Sequence, residues 1–239
     1  MLEQTGSVRI DVLTKALYAS DATIRRDLSR LEAEGLIIRA HGKAVSINLY
    51  ADKCVPYGVR EATGIDAKRR IAEAAVREQV KEGSVVMLDA SSTALQTVEH
   101  LARINDLIVI TSGISTLVEL MKTNLRFYST GGRAINESSS FVGQTALNAI
   151  DTFNADVCFV SCHGLGTSGY VTDTSESEND VRAAMLKRSK RRVLLLDGTK
   201  LGEDCWHNLC HVSEFDEVYC NTPLPPELLG TVKSFHLVP

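Results

Sequence analysis

Apolar positions in the first fifty residues fall at helical spacing. Ile24, Leu28 and Leu31 recur at i, i+4 and i+7 between Ser20, a good N-cap, and Gly35, a good left-handed stop. At about 100° per residue, Thr23, Arg26 and Arg30 fall on the opposite face, with Arg25 on its shoulder. A solvated helix with ordinary surface charges has the same pattern, so the neighbouring segments decide. Upstream, Ile10–Leu17 reads as a short amphipathic helix separated from Ser20 by Tyr18 and Ala19, which is helix-turn-helix spacing. Downstream, Leu36–Arg39 and Ala44–Ile47 read as two strands about a turn, Ala40-His41-Gly42-Lys43. A basic hairpin after a candidate recognition helix predicts a winged helix. Arginine and threonine on the outer face suit base edges and phosphates, so Thr23, Arg25, Arg26 and Arg30 on the helix and Arg39, His41 and Lys43 on the wing are the candidate DNA contacts.

After Tyr50 the pattern changes. Residues 48–65 show no clear period and read as a linker, dividing the chain into a DNA-binding domain, 1–47, and a second domain, 66–239. A long helix is expected over Ala67–Val80, capped by Asp66. Short apolar runs then alternate with helical patterns. The runs are Val85–Leu88, Leu107–Ile110, Arg126–Ser129, Val157–Val160 and Val193–Leu196, and the helical stretches are Ala94–Leu101, Ile114–Met121, Gln144–Ile150 and Glu178–Arg188. Glu217–Cys220 and Ser234–Val238 add strands. Near-continuous apolar strands between helices predict a parallel sheet covered on both faces, an α/β domain.

Ligands of such sheets bind at the carboxyl ends of the strands. Here those ends carry small donor-bearing residues: Asp89, Ser91, Ser92 and Thr93; Thr111 and Ser112; Gly131 and Gly132; Gly164 and Gly166; and Lys200 after Asp197. With Glu178 they form the candidate effector site. Glycines, hydroxyls and one lysine suit a phosphate, and Asp89 and Glu178 suit sugar hydroxyls. Ordinary turn chemistry and helix caps are the alternative.

The formal net charge is −4, with 26 Lys and Arg against 30 Asp and Glu. Through Tyr50, Arg9, Lys15, Arg25, Arg26, Arg30, Arg39 and Lys43 oppose Glu3, Asp11, Asp21, Asp27, Glu32 and Glu34, leaving +1. So small an excess does not drive tight nonspecific binding, and placed arginines in a homo-oligomer are required. The chain shows no signal peptide and no membrane-length apolar run, so it is expected in the cytoplasm. Its six cysteines read as free thiols. Cys205, His207, Cys210 and His211 lack the two separated ligand pairs of a zinc site, so neither metal nor cofactor is expected.

Thr23-Ile24-Arg25-Arg26-Asp27-Leu28, Leu31-Glu32, Gly35-Leu36, Arg39 and His41-Gly42 resemble the N-terminal signature of DeoR-type bacterial transcription regulators. Lys43 stands where that family has a second glycine. The family's full first helix is represented only by its last turn, Met1–Gln4, which implies either a natural start upstream of Met1 or a loose DNA-binding half that Leu2 and Val8 do not compensate. Asp89–Thr93, Thr111-Ser112, Gly131-Gly132, Gly164–Gly169, Glu178, Met185 and Asp197–Gly202 resemble the family's sensor domain, itself related to ribose-5-phosphate isomerase and CoA-transferase folds. Asp89-Ala90-Ser91-Ser92-Thr93 and Ser161-Cys162-x-Gly164 are similar to the L-fucose operon regulators within it. The resemblance implies a regulator of a carbohydrate operon whose affinity for operator DNA is altered by a phosphorylated sugar. The competing readings are a sugar-phosphate isomerase or CoA-transferase-like enzyme, with Glu178 or Asp89 as base and Lys200 as electrostatic stabiliser, and a sensor that has lost DNA binding.

Overall fold

The computed structural model describes residues 7–33, 37–40, 43–46, 55 and 57–239. The chain divides into two compact units, Met1–Thr63 and Gly64–Pro239.

In the first unit, α1 (Ile10–Ala16) is followed by α2 (Asp21–Ala33). Ser20 begins α2 by accepting the Thr23 N–H at 3.2 Å. Gly35, His41, Gly42 and Met1–Gln4 lie outside the described residues. The wing is the antiparallel pair β2 (Ile37–Ala40) and β3 (Lys43–Ser46). The sequence pattern did not anticipate β1 (Ser7–Arg9), which pairs antiparallel with β3. Three residues are too few for a period of two to show. Val8 is 7% exposed and packs with Leu13, Ile24, Leu28, Ile37 and Ala44. Burying one such side chain is worth about 1.5–3 kcal/mol. The expected linker holds a helix, α3 (Tyr57–Ala62), with Tyr57, Val59 and Arg60 buried and the Arg60 Nε–H donated to the Val55 carbonyl. At under two turns it is too short to show helical periodicity.

The second unit opens with α4 (Ile65–Gln79). Its N-cap is Gly64 at φ 63°, and Asp66 lies in the first turn rather than at the expected cap. A seven-stranded parallel sheet follows. It comprises β4 (Val85–Leu88), β5 (Ile108–Thr111), β6 (Arg126–Ser129), β9 (Ala155–Val160), β12 (Ser189–Leu196), β14 (Glu217–Cys220) and β15 (Phe235–Leu237). The order across it is β15-β14-β12-β9-β4-β5-β6. Alternate residues enter different cores. Val86 and Leu88 pack with Ile71, Ala75, Val98 and Leu120 on one face, while Met87 packs with Ile150, Val181 and Met185 on the other. This two-sided burial explains the continuous apolar runs.

The helix expected over Ala94–Leu101 is two short ones, α5 (Ser92–Leu95) and α6 (Thr97–Leu101). The Thr97 hydroxyl donates to the Ala94 carbonyl at 2.7 Å, and such back-bonding bends helices. The remaining helices are α7 (Ile114–Leu120), α8 (Gln144–Asp151), α9 (Glu176–Lys187) and α10 (Pro226–Leu229). Beside the main sheet lie a hairpin, β7 (Arg133–Ile135) with β8 (Ser140–Val142), and a small sheet of β10 (Gly164–Leu165), β11 (Tyr170–Asp173) and β13 (His207–His211). The strand order reverses between β4 and β9, which places a topological switch point at their carboxyl ends.

Candidate DNA-binding and effector sites

α2 buries Ile24 and Leu28 and leaves Arg25, Arg26 and Arg30 exposed. The Arg25 Nε–H bonds Asp21 at 2.7 Å, one turn earlier. Arg26 keeps 81% of its side-chain surface, with Asp27 only at 3.9 Å. Thr23 is half-buried, its hydroxyl 2.9 Å from that of Ser20. Arg39 and Lys43 sit on the paired wing strands, opposite Ala44 and Ala40 respectively.

In the second unit, Asp89 follows β4 and spans the switch point. Its Oδ1 accepts the Ser91 N–H at 3.0 Å, and its Oδ2 accepts the Ser161 N–H, beyond β9, at 3.2 Å. The same Oδ2 takes the Arg182 Nε–H at 2.9 Å. Arg182 Nη1 donates to Asp173 at 2.7 Å and to Asn179 at 3.0 Å, and His163 Nδ1 stands 2.8 Å from the same Asp173 oxygen. All are buried except His163, which is nearly so. Although burial opposes its charge, Arg182 is held above the ordinary guanidinium range by Asp173, Asp89 and Glu178.

Glu178 is only 5% exposed, yet its carboxylate accepts no hydrogen bond among the described residues, and Arg182 approaches it only to 4.0 Å. It lines a narrow cleft with Asp89, Ala90, Ser112, Ser140, Phe141, Val181 and Arg182. The cleft is too tight to admit a water-sized molecule. Among the described residues, the guanidinium of Arg182 lies within 4.0 Å of three carboxylates.

The other expected effector residues are distributed differently. Ser91 caps α5, accepting the Ala94 N–H at 3.0 Å, and Thr111 Oγ1 accepts the Gly113 N–H at 3.0 Å, so both hydroxyls serve their own turns. Ser92 and Thr93 are buried beside them. Gly131 and Gly132 have positive φ, and a Cβ on Gly132 would meet the Val142 carbonyl at 2.6 Å. Gly164 and Gly166 lie beneath residues 203–204, where a Cβ would strike the Glu203 carbonyl and the Asp204 carboxylate. They are spacing glycines. Lys200 is half-buried on the short 3₁₀ turn Gly198–Lys200, where its charge acts on the Cys162 and Cys205 thiols, and it does not line the cleft.

Sequence reasoning missed a different cation. Lys68 is 4% exposed on α4 and donates from Nζ to Ser92 Oγ at 3.2 Å, two residues from the cleft residue Ala90. The signal was present, because Lys68 stands three and four residues before the buried Ile71 and Ala72. Arg182 was missed likewise, on the face of α9 that buries Glu178, Met185 and Leu186.

Among the described residues no cluster of histidine, cysteine and carboxylate side chains is placed to hold a metal. His207 and His211 are engaged with Asn179 and Ser213, and burial pushes the Cys210 thiol up to about 12.

Comparison with known proteins matches residues 63–222 to the family described as the DeoR C terminal sensor domain and residues 1–49 to the DeoR-like helix-turn-helix domain. The chain belongs to the DeoR family. Within it, this DeoR-family protein is 36% identical over 203 residues to the HTH-type transcriptional regulator GolR of Listeria innocua, covering 84% of this chain and 79% of that one. It is 31% identical to the uncharacterized HTH-type transcriptional regulator YulB of Bacillus subtilis, covering 95% and 87%. The glycerol-3-phosphate regulon repressor of Escherichia coli is 27% identical, covering 99% and 93%. Among solved structures, ribose 5-phosphate isomerase from Plasmodium falciparum superposes with a TM-score of 0.43 at 15% identity, over 57% of this chain and 52% of that one. The DeoR-family chain is therefore a helix-turn-helix transcriptional regulator with an α/β sensor domain. No helix among its described residues is long and apolar enough to cross a membrane.

Proposed function

We propose that this regulator controls a carbohydrate operon in the cytoplasm as a homo-oligomer, binding operator DNA through α2 and the wing. A phosphorylated sugar or polyol in the switch-point cleft then alters that affinity. The observation carrying the effector site is Glu178, a nearly buried carboxylate at the cleft with no hydrogen-bond donor. Its oxygens are not shut off from solvent, and sugar hydroxyls are donors able to replace water there. The acidic excess repels a dianion, so the hydroxyl end faces Glu178 and the phosphate lies toward Lys68 and Ser91–Thr93. A phosphorylated polyol also figures in the name of the Escherichia coli relative.

The cleft is closed even to a water-sized molecule, whereas ligand pockets start at ~300 Å³. Binding therefore selects or creates a wider arrangement about Phe141 and Arg182. A differential of this kind is what an effector needs in order to shift a conformational equilibrium. The protein binds without turnover, since consumption of the ligand would erase the signal.

Calorimetry with pentose and hexose phosphates and the parent sugars tests this reading. Lys68→Met should weaken the phosphorylated form at least tenfold and leave the free sugar nearly unchanged, whereas Glu178→Gln should weaken both. Equal losses from Lys68→Met would move the phosphate elsewhere, and isomerised product in the cell would establish the enzyme reading instead.

A further inference from the structure

The turn between α1 and α2 holds a residue that no packing requirement accounts for. Tyr18 is 98% exposed, and its backbone has φ 50°, in the left-handed region. Glycine occupies that region freely, and asparagine tolerates it, whereas a bulky aromatic residue there is strained. The backbone around it is well tied. The Leu17 N–H bonds the Leu13 carbonyl at 2.9 Å, the Ala19 N–H bonds the Thr14 carbonyl at 3.3 Å, and Ala19 packs against the small core. The tight turn therefore imposes the left-handed conformation, and the tyrosine ring projects into solvent with no hydrogen-bond partner for its hydroxyl among the described residues.

From this geometry we infer that Tyr18 is a DNA contact, donating its phenolic hydroxyl to a backbone phosphate at the edge of the major groove. The inference rests on α2 being the recognition helix. In helix-turn-helix docking the first helix crosses the phosphate backbone and the N-terminal residues of the second reach base edges. The turn joining them passes from backbone to groove, and Tyr18 stands in it two residues before the Ser20 cap. Ser20 and Thr23 pair their hydroxyls at the start of α2, and Arg26 one turn on is exposed. Neutral donors to phosphate fit a domain whose charge excess is small, because they add contacts without adding to its cation count. They also release no counterions, so their contribution does not fade with salt as that of an arginine does.

The experiment uses the full chain and a random-sequence duplex of about 30 base pairs, long enough for two half-sites one turn apart. A phosphate contact acts on any sequence, so no operator is needed. Fluorescence anisotropy is read over a range of salt concentrations for the wild type, Tyr18→Phe, Tyr18→Gly and Arg26→Ala. Tyr18→Phe should weaken binding roughly two- to tenfold, the worth of one hydrogen bond, and leave the salt slope unchanged. Tyr18→Gly should weaken it at least as much while the thermal midpoint of unfolding holds or rises, since the strain is relieved. Arg26→Ala should weaken binding and lower the salt slope by about one. If both Tyr18 variants bind as the wild type does and Arg26→Ala is weakened, the Tyr18 contact is refuted and the recognition helix stands. If Arg26→Ala also binds normally, both assignments fall.

Discussion

Replacing Arg182 by methionine, which keeps most of the side-chain length, removes the guanidinium that meets the carboxylates of Asp89, Asp173 and Glu178. Breaking a buried ion pair from one side costs about 3–5 kcal/mol, because the remaining charge is left uncompensated. Here the lower end of that range applies. Asp89 keeps the Ser91 and Ser161 N–H groups, and Asp173 keeps those of Thr174 and Ser175 together with His163. About 3 kcal/mol in a unit of this size lowers its melting midpoint by roughly 6–12 °C. Urea titrations followed by circular dichroism measure the loss, and adding Asp89→Asn to the variant should restore part of the stability. A deficit below about 1 kcal/mol, typical of an exposed pair, would show that solvent reaches the cluster.

Two further outcomes follow from the sensor unit. The Lys190 ammonium, then the Val85 N–H, hold the Asp156 carboxyl below its ordinary value. Its stabilising effect is therefore complete above the unfolded-state value and is lost as the pH falls through the lower folded value, so Asp156→Asn should flatten the acid limb of a stability–pH curve; an unaltered limb would discount this carboxylate. Gly166→Ala drives a methyl into the Asp204 carboxylate and should lower the thermal midpoint by several degrees, whereas Gly230→Ala, which meets no atom within 4 Å on an ordinary backbone, makes no such contact; calorimetry that finds Gly166→Ala harmless would show that residues 203–204 move aside.

Legibility in the sequence followed the range of the interactions. The helix-turn-helix was readable because Ile24, Leu28 and Leu31 carry its period within one element and Ser20 announces its start. The sheet was readable because both faces of its strands are buried, so each strand is an apolar run. The buried charge cluster was not. Arg182 meets Asp89 93 residues away, and a charged residue on a helix looks the same whether it faces water or a carboxylate. Lys68 was concealed by its neighbours, since Lys68-Arg69-Arg70 reads as a solvated run although only Lys68 turns inward. Lys200 lies apart from the cleft for the converse reason. A strand end identifies the rim of the sheet, and the rim is wide enough to hold residues that never share a cleft. Gly164 and Gly166 looked like ligand-cradling glycines because a backbone that must admit a phosphate and one that must admit another loop leave the same gap in a sequence.

The reversal of strand order at β4 has a consequence for how the chain is made. β4 is the first strand of the sheet to be synthesised, yet it lies at the centre, and Val85 donates its N–H to Asp156, 71 residues later. No central strand can be completed until β9 has left the ribosome, and loop closure of that span slows the search. The wing, by contrast, pairs neighbouring strands, and the small core around Leu13 and Leu28 draws only on early residues. Each nascent molecule therefore has an interval in which its DNA-binding half is assembled and its sensor is not. During that interval any grip on DNA is deaf to the effector, and the switch-point topology sets how long the deafness lasts.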